Sequence, residues 1–108
     1  MHHTENQSWI VNVGGDVVEK QAAVGFASLT SLERLIYCLW VADYGMRNAG
    51  DLETAADVYP SFLEDGRKAA VETGLPRSIA AFSLSSATLE QQYFDLFEPL
   101  VDELREAS

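Results

Sequence analysis

Positive charge is what this 108-residue chain has least of: seven lysines and arginines stand against 17 acids, a formal net charge of -10. So few bases leave little to neutralise phosphates, which argues against direct nucleic-acid binding and against an anionic membrane surface. Cysteine occurs once, at Cys38, between Tyr37 and Leu39. No internal disulfide can form, and the composition suits a reducing, cytoplasmic setting. With no cation beside it, Cys38 reads as a small buried residue rather than a reactive thiol. Histidine is confined to His2 and His3, so the folded region has no imidazole for a catalytic base, a metal site or a Ser-His-Asp triad. The pair reads as part of a polar tail, at most a weak metal ligand. No apolar run approaches the ~18 residues of a membrane span, and "MHHTENQSW" lacks the apolar core of a signal peptide.

What is present is a hydrophobic fraction of 47% with only three prolines, enough for one domain with a real core. Residues 1 to 8 are polar. "WIVNV" is rich in β-branched side chains and reads as a short strand or extended arm, which Gly14 and Gly15 then interrupt. Asp16 with Glu19 resembles a capping box and predicts a helix to about Ala27. Thr30 with Glu33 repeats that pattern ahead of apolar positions 32, 35, 36, 39 and 46, which share one helical face, and Gly50 is a natural stop. "DLETAADVY" is a polar connection with about one helical turn. Pro60 suits the first turn of a helix that Gly74 ends. Within it Gly66, Ala69 and Ala70 predict the close approach of another helix. "PRSIAAF" predicts a short helix with Ile79 and Phe82 inward. "TLEQQYFDLFEPLVDELREA" carries a broad apolar stripe at Leu89, Tyr93, Leu96, Phe97, Leu100 and Leu104, with Pro99 set to kink or divide it. The expected architecture is an all-α, single-domain bundle of about five helices over residues 16–108, preceded by an extended N-terminal arm over residues 1–15.

Chemistry-bearing constellations are sparse. Glu64 with Asp65, and Asp102 with Glu103, are sequence neighbours that point about 100° apart on a helix and chelate poorly. Gly14-Gly15 lacks the lysine and flanking glycines of a phosphate loop. No cofactor, metal site or catalytic residue is expected. An enzyme or small-ligand reading would require a closed pocket lined by Asp43, Arg47 and Trp40.

The acids of the last helix are better organised. Asp95, Glu98, Asp102 and Glu106 are separated by three, four and four residues, which stacks them in one stripe opposite the apolar one. Like charges so placed repel by a few tenths of a kcal/mol per pair, and Arg105 is the one base on the helix. The stripe is either a solvated face or a surface kept negative to meet a basic partner. Four carboxylates over about 16 Å of helix give roughly one charge per 4 to 5 Å, against about one per 1.7 Å of duplex DNA. Any imitation of DNA would thus need acids from elsewhere, such as Asp51, Glu53, Asp57, Glu64 or Asp65, or a second chain.

The stretch "DYGMRNAGD" closes the most apolar helix. Asp43 falls within that helix's apolar face, where burial alone would be costly, and Arg47 follows one turn later in the favourable acid-before-base order. Asn48 and Gly50 both tolerate left-handed backbone and can end the helix. Asp43, Arg47, Asn48 and Gly50 therefore read as a structural corner.

Taken together, "LERLIYCLWVADYGMRNAGDLETA", the acid-rich helix ending "GRKAAVETGL" and the terminal "FDLFEPLVDELREA" resemble a bacterial all-helical domain family of mostly unknown function that includes an acidic DNA-mimic protein. In that family a tryptophan-bearing helix leads to an acidic residue, then to an Asn-Gly-Gly turn with an aromatic and a glutamine after it. Trp40, Asp43, Asn48 and Gly50 match; Ala49 stands for a glycine and Asp51 for the aromatic. The resemblance spans about residues 29 to 106 and implies an all-helical fold with a protein partner, and DNA mimicry where the charge layout permits. The expectation is a cytoplasmic, non-enzymatic binding protein whose Asp95, Glu98, Asp102 and Glu106 meet a basic partner, with DNA-binding proteins such as a transcription regulator among the candidates. The alternative is an immunity-type or antitoxin-type inhibitor of a toxic enzyme, bound through aromatic anchors as well as charge. Homodimerisation through an apolar helix face stays open.

Overall fold

A computed structural model describes residues 3–108, with side chains from Glu5 onward. The His2-His3 pair lies outside the described side chains. Six helices follow in order: α1 His3–Val24, α2 Ser31–Ala49, α3 Leu52–Val58, α4 Phe62–Thr73, α5 Pro76–Phe82 and α6 Ser86–Ala107, with one 3-10 turn at Phe26–Ser28. There is no strand among the described residues.

The N-terminal segment is a separate element packed across the bundle, but it is helical rather than extended. Asn6, Ile10, Gly14 and Val17 recur at four, four and three residues and are all buried, so the helical period was present beneath the β-branched run. Val11 faces solvent, while Trp9 and Val13 flank the buried row and pack partly against the core. Gly14 and Gly15 do not interrupt the chain: α1 runs through both, and through Asp16, which caps nothing. The break comes at Gly25, with φ 87°, beyond the reach of side-chain-bearing residues.

α2 is the central helix, packed against α1, α3, α4 and α6. Its start is the capping box: Thr30 Oγ1 accepts from the Glu33 N–H, and the Glu33 carboxylate accepts from the Thr30 N–H. Its end is Gly50 in the left-handed conformation, φ 73°. Asn48 stays helical and donates its side-chain amide to the Tyr44 carbonyl. Between these ends Leu35, Ile36, Cys38, Leu39, Val41, Ala42, Asp43, Gly45 and Met46 are buried, which is wider than one face and marks a helix enclosed by neighbours.

Small residues set the close approaches. A Cβ on Gly45 would lie 2.7 Å from the Ala55 backbone nitrogen and 2.8 Å from the Asp51 carbonyl oxygen, so α3 rests directly on α2. α3 is a full seven-residue helix because Asp51 caps it, accepting from the Thr54 N–H at 2.8 Å. A Cβ on Gly66 would meet the Phe82 ring at 2.5 Å, which is how α4 admits α5. Pro60 lies just before α4 and not in its first turn. In α6 Pro99 does not divide the helix. The carbonyl that proline deprives of a donor belongs to Asp95, an exposed residue, where water can take the missing bond.

Candidate functional site

α6 carries the acidic stripe, and the fold spends part of it. Asn6 of α1 is fully buried and its side-chain amide donates to Glu98 Oε1 at 2.6 Å and to Asp102 Oδ1 at 3.0 Å. Its carbonyl oxygen accepts from Arg105 Nη1 at 2.8 Å. One asparagine thus satisfies all three of its close partners and holds two carboxylates side by side, which relieves a repulsion the bare stripe would suffer. Glu5 adds a further acid at this end, with its carboxylate 4.0 Å from Arg105. Asp95 and Glu106, together with Asp102, are solvent-exposed, and Glu98 is half-buried. Of the acids thought able to complete the face, Asp51 is committed to its cap on α3 and Asp65 accepts from the hydroxyls of Tyr59 and Ser61.

Two more acids of α6 act as fasteners. Glu103 accepts from the backbone N–H groups of Arg77 and Ser78, at 2.9 and 3.0 Å, and from the Ser78 hydroxyl. It caps α5, whose own N-cap position is Leu75 with no side-chain bond to give. Glu90 accepts from the Leu52 N–H at 2.8 Å and so ties the start of α3 to α6. A shallow cavity of about 270 Å³ lies between Arg77, Pro99, Asp102, Glu103 and Glu106.

The corner at the end of α2 is closed. Arg47 Nε lies 3.0 Å from Asp43 Oδ1 and 3.2 Å from Oδ2, and the Tyr93 hydroxyl donates to Oδ1 at 2.6 Å. Burial of the ring and the adjacent Asp43 charge hold the Tyr93 phenol well above its ordinary range. The Arg47 guanidinium lies over Phe97 at 4.7 Å and Phe94 at 5.2 Å, a cation-π arrangement that leaves the arginine side chain partly exposed. Asp43, Arg47 and Trp40 line neither this cavity nor the larger one described next. Cys38 is buried, and burial raises its thiol pKa, away from reactivity.

A groove of about 850 Å³ opens elsewhere, among Phe26, Arg34, Asp65, Arg67, Lys68 and Glu72. Its charges are mixed, and Arg34 is fixed by the Phe26 and Ala27 carbonyls. Among the described residues no buried side-chain nitrogen or oxygen lacks a partner, and no cluster of three metal-ligating side chains occurs. No helix there is long and apolar enough to cross a membrane. Sequence reasoning missed Asn6, Glu90 and Glu103 as fasteners, because their partners lie 25 to 99 residues away and no local pattern marks them. Compared with protein-family models, curated proteins and solved structures, the chain finds no match.

Proposed function

We propose that this protein is a non-enzymatic acidic binding protein that occupies a basic surface of a partner protein through the outer face of α6. The observation that carries the reading is the division of labour on that helix. Glu90 and Glu103 fasten neighbouring elements, Glu98 and Asp102 are held side by side by Asn6, and Asp95 and Glu106 project into solvent at either end. A row of negative charge steers a basic partner and disfavours acidic ones. Glu98 and Asp102, fixed by Asn6, also lose little entropy on binding. The resemblance to a family containing a DNA mimic directs the search toward DNA-binding proteins such as transcription regulators.

The test is titration against purified basic DNA-binding proteins at about 50 and 200 mM salt, with Asp95→Asn/Glu106→Gln as the comparison. Those two side chains hold no other element in place, so the variant keeps its fold. The expected result is a salt-sensitive complex weakened by the double substitution and displaced by duplex DNA. A complex indifferent to both the salt and the substitutions would overturn the reading.

An immunity-type or antitoxin-type inhibitor is the second reading, distinguished by one tight complex whose affinity survives moderate salt because aromatic anchors contribute. Tyr44 and Phe94 are 43% and 52% exposed, an aromatic presence of the kind that anchors tight interfaces.

A further inference from the structure

Trp40, Tyr44 and Phe94 form one surface with Arg47. Trp40 and Tyr44 stack with ring centroids 6.0 Å apart; Tyr44 and Arg47 are one turn apart on α2; and the Arg47 guanidinium lies 5.2 Å from the Phe94 ring. Phe94 packs edge-on against the buried Tyr93 at 5.2 Å. Asp43 holds Arg47, and Gly14 of α1 abuts Trp40. Tyr44 and Phe94 are exposed and Trp40 is half-buried beside them, and neither of the two cavities described above includes these aromatics.

The border of the patch is negative. Glu90 and Glu98 lie one turn before and after Phe94, each fixed by a hydrogen bond from another element, and the exposed Asp95 stands about 100° further round the helix. Arg47, the cation within the patch, is committed to Asp43. A second copy of the chain would bring the same carboxylates and a further net charge of -10, which works against self-pairing. An apolar segment bordered by lysines or arginines meets both the aromatics and their rim. Apolar side chains one helical turn apart match the one-turn spacing of Trp40 and Tyr44.

We propose that the Trp40-Tyr44-Phe94 patch is the apolar anchor of the partner site, and that it receives a basic amphipathic helix. This rests on the reading of α6 as the partner-facing helix and adds the aromatic contact to it. It predicts a complex that salt weakens without abolishing, since the buried aromatic area is insensitive to screening.

The experiment uses the full chain and two synthetic 18-residue peptides of identical Lys/Leu composition, one with an amphipathic helical order and one scrambled, measured by calorimetry at low and moderate salt. The wild type is expected to bind the amphipathic peptide about tenfold more tightly than the scrambled one. Phe94→Ser and, separately, Tyr44→Ser should bring that ratio toward one while binding of the scrambled peptide is kept. Asp95→Asn should weaken both peptides alike. Thermal unfolding of each variant checks that the fold survives, and the two aromatic variants lie on different helices, so both would have to unfold for the test to lose its readout; Tyr44→Gln then serves in their place. Salt-sensitive binding of both peptides with a ratio near one in the wild type overturns the inference and leaves the acidic-face reading standing. Absence of binding to either peptide overturns both. Sedimentation showing a wild-type dimer that Phe94→Ser dissociates would give the patch to a second copy and overturn the inference.

Discussion

Gly14 and Gly15 sit side by side in α1 and are expected to respond to alanine in opposite senses. At Gly15 a Cβ meets nothing within 4 Å. The substitution there removes the entropic cost of glycine in a helix interior, so Gly15→Ala should stabilise the protein by about 0.5–1 kcal/mol. At Gly14 the same atom would lie 2.4 Å from Trp40 Cδ1, 2.9 Å from Cγ and 3.0 Å from Cβ. The contact reaches down to the root of the indole, so a change of the ring's outer torsion cannot relieve it, and α1 must lift from α2. Overpacking of this kind costs about 1–3 kcal/mol, which offsets or exceeds the propensity gain. The difference between the two variants should therefore be about 1–3 kcal/mol, several degrees in Tm for a chain of this length. Urea unfolding followed by circular dichroism measures it, with equal m-values as the check that both variants unfold the same structure. If Gly15→Ala were destabilising, the segment would not be a helix interior. Equal stability of the two would refute the close approach of α1 to Trp40.

Tyr93→Phe removes a hydrogen bond to a buried carboxylate and should cost about 1.5–3 kcal/mol; a urea midpoint equal to wild type would mean that Asp43 does not depend on that hydroxyl. Asn6→Ala leaves Glu98 and Asp102 adjacent without their shared donor and Arg105 without its acceptor, at about 1–3 kcal/mol, and should raise amide exchange along the first turns of α1. Alkaline pH should destabilise the protein. Burial raises the pKa of Tyr37, Tyr59 and Tyr93, so their contribution is complete below the unfolded tyrosine value of about 10 and is lost as pH climbs above it, because the unfolded chain releases protons first. Tyr93→Phe should show a smaller drop in urea midpoint between pH 8 and 11 than wild type. On the acid side Glu33 is held below its ordinary value by the Thr30 N–H and by Lys20. Its contribution is present above about pH 4.3 and falls as pH falls further, and Glu33→Gln should flatten that limb of the stability profile.

Most helix boundaries were legible because they are chemical and local. The Thr30-Glu33 box, Gly50, Gly74 and Pro76 mark starts and stops through atoms a few residues apart, and each stands where its chemistry predicts. The pairing of Asp43 with Arg47 belongs to the same class, since i and i+4 meet on any helix. The N-terminal segment departs from its local pattern, being helical rather than extended, for the converse reason. β-branched residues and two glycines give a local preference for extended chain, and that preference is overridden where Ile10, Gly14 and Val17 bury one face of α1 against the bundle.

The acidic stripe of α6 was visible as a spacing, but its use was not. Whether Asp95, Glu98, Asp102 and Glu106 stand free or hold something depends on α1 arriving from 92 residues away with Asn6 at the right height. The same holds for Glu90 and Glu103, ordinary helical acids until they meet the unsatisfied N–H groups at the starts of α3 and α5. The sequence alone determined the all-helical class, the helix ends, the excess of negative charge and the helix that carries its most regular row. Tertiary structure decided which of those charges are fasteners and which face solvent, and it set the Phe94 ring of α6 against the Arg47 guanidinium of α2. The division has a simple physical cause: hydrogen bonds within a turn are encoded by neighbours, whereas a surface is made of residues that only packing brings together.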